Sequence, residues 1–239
     1  MIGARQLRSV RLRKGGSAVI KFSGSLIYPP SASYLSELRE AVKALLDEGW
    51  RIAVVVGGGE VAREYIRTLR ALGVPESLLD EIGIESANLN ALSVALALYP
   101  LSPPTVPRDL REAVRISQEG LVPVLGGLQP GQSTNAVAAV LAEAIKADLL
   151  VNLLNGVDGV YTGRPGKPGS RKIDSLTYSQ LEEIISGKEQ VAGGYELFDR
   201  VALEIIKRSH LTLVFADGRN PAVLVKVIRG EGVGSWVRP

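Results

Sequence analysis

The chain contains no cysteine, a single histidine (His210), a single methionine and only 5% aromatic residues among its 239. Without cysteine there are no disulfides and no thiolate metal sites, and one histidine excludes histidine-rich zinc chemistry. The sequence therefore nominates no metal ligands of its own. It also lacks any apolar run of the ~18 residues that a membrane-spanning helix needs. The stretch Leu149 to Leu154 is interrupted by Asn152 and soon meets Gly156. The basic N-terminal stretch is not followed by an apolar core, so no signal peptide is read there. A cytoplasmic location with no membrane partner is the expectation.

Excess positive charge is lacking too, once its placement is considered. The net charge is +3, but Arg5, Arg8, Arg11, Arg13 and Lys14 stand in a tail over residues 1–16 that carries no acid, and removing these five leaves −2. Three Phe, two Trp and seven Tyr form no RNA-binding pattern, so no nucleic-acid partner is expected.

What is present is an ordinary globular composition, 46% hydrophobic and 22% charged, in a length that fits one large α/β domain or two small ones. The organising stretch is Ile52 to Val56, a buried strand, followed by Gly57-Gly58-Gly59 and a helix from Glu60 to about Leu72. Glycines at such a turn let backbone N–H groups approach a phosphate closely, and the helix start adds partial positive charge. The register Gly57-x-Gly59-x-x-Ala62 also matches a loose dinucleotide fingerprint. That fingerprint belongs in the first βα unit with an acidic ribose partner after the next strand, and neither condition holds. Arg63 in the first turns of this helix opposes the helix dipole; it faces an anion, pairs with neighbouring acids or is simply solvated.

The same punctuation recurs. Ser17 to Phe22 is a strand ending in Ser23-Gly24-Ser25, with Lys21 either a solvated strand-end lysine or a phosphate ligand. A helix over 34–48 completes a βαβ unit with parallel strands. Beyond Pro75 a helical region punctuated by Gly83 runs over 78–98 and carries Asp80 and Glu85; four prolines then mark a rigid loop over 99–107, and a helix over 108–119 follows. A strand over 121–125 ends at Gly126-Gly127-Leu128-Gln129-Pro130-Gly131-Gln132-Ser133-Thr134-Asn135. This has Walker A spacing with Gln132 where the lysine belongs, which excludes a P-loop ATPase. Ser133, Thr134 and Asn135 are equally natural N-caps for the helix over 136–147. After a strand over 148–153, the loop Asn155 to Pro165 suits a ligand loop or a hairpin, and residues 163–172 read as mobile. A small helix over 177–185, a fourth glycine loop (Val191 to Tyr195), a helix over 201–208 opened by Asp199, a strand over 211–215, a helix over 221–229 and a strand over 232–237 complete the chain.

Four strand-to-glycine loops exceed the needs of one dinucleotide site. At the carboxyl ends of parallel strands they converge on one crevice, and with a lysine, an arginine and scattered carboxylates they fit phosphoryl transfer. Lys21-Phe22-Ser23-Gly24, Gly57-Gly58-Gly59 with Arg63, Asp80-Glu81-Ile82-Gly83-Ile84, Gly126 to Thr134, Val157-Asp158-Gly159-Val160-Tyr161 and Tyr195-Glu196-Leu197-Phe198-Asp199, in this order, resemble the amino acid kinase superfamily and, within it, the archaeal-type uridylate (UMP) kinases. The resemblance covers about residues 17–239. It implies a three-layer αβα sandwich around a mainly parallel open sheet, with an acceptor-binding part over about 17–145 and an ATP-binding part over about 146–239. It further implies transfer of phosphate from ATP to UMP with Mg²⁺, usually in a homohexamer.

Carried over by position, the resemblance implies that Lys21 stabilises the transferring phosphate, with Gly24 and Ser25 beside it. Gly59 and Arg63 would bind phosphate between acceptor and ATP, and Gly58 and Asp80 would contact UMP. Gln129, Pro130, Gly131, Gln132, Ser133, Thr134 and Asn135 would wrap the UMP. Asn155, Tyr161 and Arg164 would hold the adenosine, and Asp199 would position metal or lysine. The chain departs from the pattern at Asn135 and Arg164, where many members have Asp, at Asn155-Gly156, where they have Thr-Asn, and at Asn88, where some have Arg. Other expectations left open are a superfamily kinase acting on a carboxylate, carbamate or isoprenoid phosphate, and a non-catalytic nucleotide-binding storage or regulatory protein.

Overall fold

The computed structural model describes residues 15–186 and 197–239. Arg5 to Lys14 of the basic tail and the glycine loop Val191 to Tyr195, with Glu196, lie outside the described residues. The elements in chain order are β1 (Ser17–Phe22), α1 (Ala32–Asp47), β2 (Arg51–Val56), α2 (Gly59–Ala71), α3 (Glu76–Leu98), α4 (Leu110–Gln118), β3 (Val124–Leu125), α5 (Thr134–Ala144), β4 (Leu149–Leu154), β5 (Val160–Tyr161), β6 (Lys172–Ile173), β7 (Ser175–Thr177), α6 (Tyr178–Ser186), α7 (Arg200–Arg208), β8 (Thr212–Asp217), α8 (Val223–Ile228) and β9 (Ser235–Arg238).

Seven strands form one sheet in the order β3-β2-β1-β4-β8-β9-β7, while β5 and β6 make a separate antiparallel ribbon. From β3 to β8 every pairing is parallel; β9 runs antiparallel to β8 and parallel to β7. Strands covered on both faces must be apolar throughout, which is why β1, β2 and β4 read as nearly unbroken aliphatic runs. Alternate residues serve two cores. Val19, Val55, Leu150 and Phe215 pack under α5 and α7, whereas Ile20, Val54, Val151 and Val214 pack under α1, α3 and α8. The expected three-layer sandwich is the observed one.

The differences from expectation have local causes. Helices begin where a side chain caps them: Ser31 accepts from Tyr34, Asp109 from Glu112, Ser133 from Ala136 and Asp199 from Ala202. So α1 and α5 start two residues earlier than periodicity suggests. Gly83 does not interrupt α3, since one glycine costs only about 1 kcal/mol in a helix and α3 runs unbroken from Glu76 to Leu98. The strand expected over 121–125 shrinks to β3 because Pro123 has no N–H to donate. Its carbonyl still accepts from Val54 N at 2.9 Å, and Val122 N turns to Leu101 O. Residues 163–172 carry closed turns, with Thr162 N donating to Arg171 O and Ser170 Oγ to Gly163 O. No helix among the described residues is long and apolar enough to cross a membrane.

Candidate active site

The turns after β1 and β2 interlock. A Cβ on Gly24 would lie 2.3 Å from both Gly57 O and Gly59 N, and one on Gly59 (φ +69°) would lie 2.6 Å from Gly24 C. Two backbones can approach this closely only without side chains. Arg63, one turn into α2, reaches across this seam: its Nη2 donates to Ser25 Oγ at 3.2 Å and to Glu60 Oε2 at 2.6 Å. Of the readings of Arg63, the contacts show the pairing with an acid, Glu60, with the guanidinium also reaching Ser25 beside the glycine turn.

Beneath the seam, Lys21 is half-buried on β1, level with Val55 of β2 and Asn152 of β4. It shares the α5/α7 face of the sheet with Asn152. Burial lowers its pKa to about 8, and the charge of Asp199 acts in the opposite direction. Asn152 is fully buried and donates through Nδ2 to Asn135 Oδ1 at 3.2 Å. Ser133 accepts from Ala136 N and donates to Asp199 Oδ2 at 2.5 Å, while Asp199 Oδ1 accepts from Ala202 N. Lys21, Ser133, Asn135 and Asp199 are thus gathered on one face. Thr134 borders the glycine turn, its Oγ1 3.4 Å from where a Gly57 Cβ would stand.

Helix α3 forms the opposite wall. Asn90, buried, donates through Nδ2 to Gly57 O at 2.9 Å and Gly58 O at 3.2 Å, which fixes the triple-glycine turn. Sequence reasoning missed Asn90. A polar residue at an inward helical position beside a long glycine turn is the signal that could have found it. Ala87 and Asn88 abut Gly126, and Ile84 abuts Gly127, so the third glycine loop also lies on α3. Asp80 Oδ2 accepts from Gly131 N at 2.8 Å, tying the start of α3 to the loop Gln129 to Gln132. Gln129 and Pro130 are exposed, and Gln129 O accepts from Gln132 N.

On the β4 side, exposed Asn155 donates to Ser25 O at 3.2 Å, joining its loop to the β1 turn. Gly156 N and the Arg219 guanidinium both bond Asp217, at the end of β8. Burial alone would raise the Asp217 carboxyl, but those donors hold it below the usual range. Tyr161 lies on the β5–β6 ribbon with its hydroxyl on Asp158 Oδ1 at 2.6 Å. Arg164 is exposed on the turn beyond, and its backbone carbonyl accepts from Lys167 N. Neither Tyr161 nor Arg164 hydrogen-bonds to Lys21, Ser133, Asn135 or Asp199. Among the described residues no group of three or more His, Asp or Glu could hold a metal.

The class this fold and cluster define is an αβα sandwich with glycine loops gathered at the carboxyl ends of its parallel strands. The amino acid kinase family profile matches residues 17–217, and the chain belongs to that family and, within it, to the archaeal-type uridylate kinases. It is 52% identical to the uridylate kinase of Aeropyrum pernix over 216 residues, 90% of this chain and 96% of that one. It is 40% identical to the uridylate kinase of Hyperthermus butylicus, over 93% and 98% of the two chains. The crystal structure of uridylate kinase from Archaeoglobus fulgidus matches with a TM-score of 0.82 at 36% identity, covering 92% of this chain and 99% of that one.

Proposed function

We propose that the protein is a nucleoside monophosphate kinase that transfers the γ-phosphoryl group of ATP to UMP, giving ADP and UDP. The observation that carries this reading is the seam of Gly24-Ser25 and Gly58-Gly59, bridged by Arg63 and floored by Lys21. Phosphoryl transfer needs positioning and charge neutralisation more than covalent chemistry. A phosphate oxygen of UMP attacks the γ-phosphorus in line as the bond to the ADP oxygen breaks, so no protein nucleophile is required. Lys21 and Arg63 stabilise the charge spreading over the transferring group, and Asp199 orients Lys21.

In this reading residues of about 17–145 bind the acceptor. Asp80 and Gly58 contact UMP, and the loop Gln129 to Asn135 closes over it. Residues of about 146–239 bind ATP, with Asn155, Tyr161 and Arg164 near the adenosine. Magnesium is carried mainly by substrate phosphates, for which one or two carboxylates suffice; Asp199 would be the carboxylate to hold it. Held there, the ion would supply charge neutralisation. Subunits of a cytoplasmic homohexamer would meet through α3, whose Leu78, Leu89 and Leu96 are exposed large apolar residues.

Initial rates of ADP formation against a panel of nucleoside monophosphates test the reading. UMP should stand well above CMP, AMP and GMP; no turnover with any acceptor would overturn it. One observation favours a second reading, a nucleotide-binding protein without catalysis: position 135 carries an amide held by Asn152 where a carboxylate is expected. Tight ATP binding without transfer would support that instead.

A further inference from the structure

The strand Leu149–Leu154 is aliphatic except for Asn152, which is fully buried and whose Oδ1 has no hydrogen-bond partner. Its other end is engaged, with Nδ2 donating to Asn135 Oδ1 at 3.2 Å. A buried carbonyl oxygen left unpaired costs stability, and a leucine of nearly the same shape would avoid that cost. The amide thus serves Asn135 with its nitrogen, while its oxygen contributes nothing to the fold. Its lateral neighbour in the sheet is Lys21, paired with it in register on the adjacent parallel strand, so the two side chains leave the same face.

We propose that Asn152 is a positioning residue for phosphoryl transfer, fixing Asn135 at the start of α5 with one end of its carboxamide and accepting a hydrogen bond from the Lys21 ammonium with the other when phosphates are bound. The inference rests on the reading of Lys21 as the phosphate-binding cation. A lysine with three donors needs acceptors on its protein side if it is to point one N–H at a transferring phosphate. Around Lys21, β2 offers Val55, α5 offers neutral Asn135 and the start of α7 offers Asp199, the charged group among the described residues that acts on it. A neutral acceptor from β4 would orient the ammonium without cancelling its charge.

The test compares the wild type with Asn152→Leu, Asn152→Asp and Lys21→Met in UMP kinase kinetics, pH–rate profiles and thermal unfolding. Asn152→Leu should keep or raise the melting temperature and hold KM for UMP within about twofold, while kcat falls roughly 10- to 100-fold. Its alkaline limb should move to lower pH, because the ammonium has lost an acceptor, and Asn152→Asp should move that limb to higher pH. A wild-type kcat and an unmoved limb in Asn152→Leu would overturn the proposal. So would a loss of kcat that follows a lowered melting temperature equally in both Asn152 variants, which marks packing alone. Full turnover by Lys21→Met would instead remove the role of Lys21 on which the inference stands.

Discussion

Ser133 donates a 2.5 Å hydrogen bond to Asp199, and each of the two residues is also the N-cap of its own helix, Ser133 for α5 and Asp199 for α7. The loop Gln129 to Asn135 and the carboxylate that acts on Lys21 are thereby mechanically joined. Ser133→Ala should destabilise by about 1–2 kcal/mol through the lost cap and lower kcat as well, since Asp199 loses a donor. A double-mutant cycle with Asp199→Asn, read by urea unfolding and by kcat, should show non-additivity in both.

Lys21 yields a pH prediction. Its pKa of about 8 in the folded protein lies below the usual 10.5, so between these values the unfolded chain binds more protons and stability rises with pH. Below pH 8 the folded protein carries the full burial penalty, up to about 3 kcal/mol for such a shift. Lys21→Met should therefore be more stable than the wild type at pH 7, by a margin that shrinks toward pH 10, while its turnover collapses by about 10² or more. Unfolding curves at the two pH values, beside one activity assay, check both halves.

The interlocked turns tolerate no Cβ. Gly24→Ala meets backbone atoms of Gly57 and Gly59 at 2.3 Å and should cost several kcal/mol, on the order of 3 or more, or prevent folding. Gly131 offers the contrast. It has φ +73° but open space around it, so Gly131→Ala should cost only about 1–2 kcal/mol of backbone strain. Thermal unfolding of the two variants separates contact from conformation.

Arg63 and Glu60 form an exposed ion pair, whose contribution to stability is small because solvent and salt screen it. Arg63→Ala should leave the melting temperature nearly unchanged and reduce kcat/KM by about 10² or more. Glu60→Gln should leave the guanidinium in place with its charge less neutralised; tighter binding of UMP, read by calorimetry, is the expected outcome.

Much of this was legible in the residues. Aliphatic runs ending in glycine gave β1, β2 and β4 and their turns, because a strand buried on both faces leaves no other signature. Lys21, Arg63 and Ser133 stood out as polar residues beside those turns. The rest depends on contacts between distant segments. Nothing local to Asn90 says that it faces the Gly57 carbonyl, nor does the strand around Asn152 reveal the approach of Asn135. Strand β7 was missed because three residues of mixed polarity acquire a strand's hydrogen bonds only when β9 supplies them.

That last pairing bears on how the molecule is assembled. Strand β9 lies between β8 and β7, so β7 and the α6 helix that follows it leave the ribosome well before the strand that gives them their place in the sheet. The adjacent parallel strands β1, β2 and β4 can pair earlier. The Ser175–Thr177 edge must wait unpaired, and closing so long a loop is slow. The order of synthesis thus makes the β7 flank the last part of the sheet to be completed, since its partner β9 is the final strand of the chain.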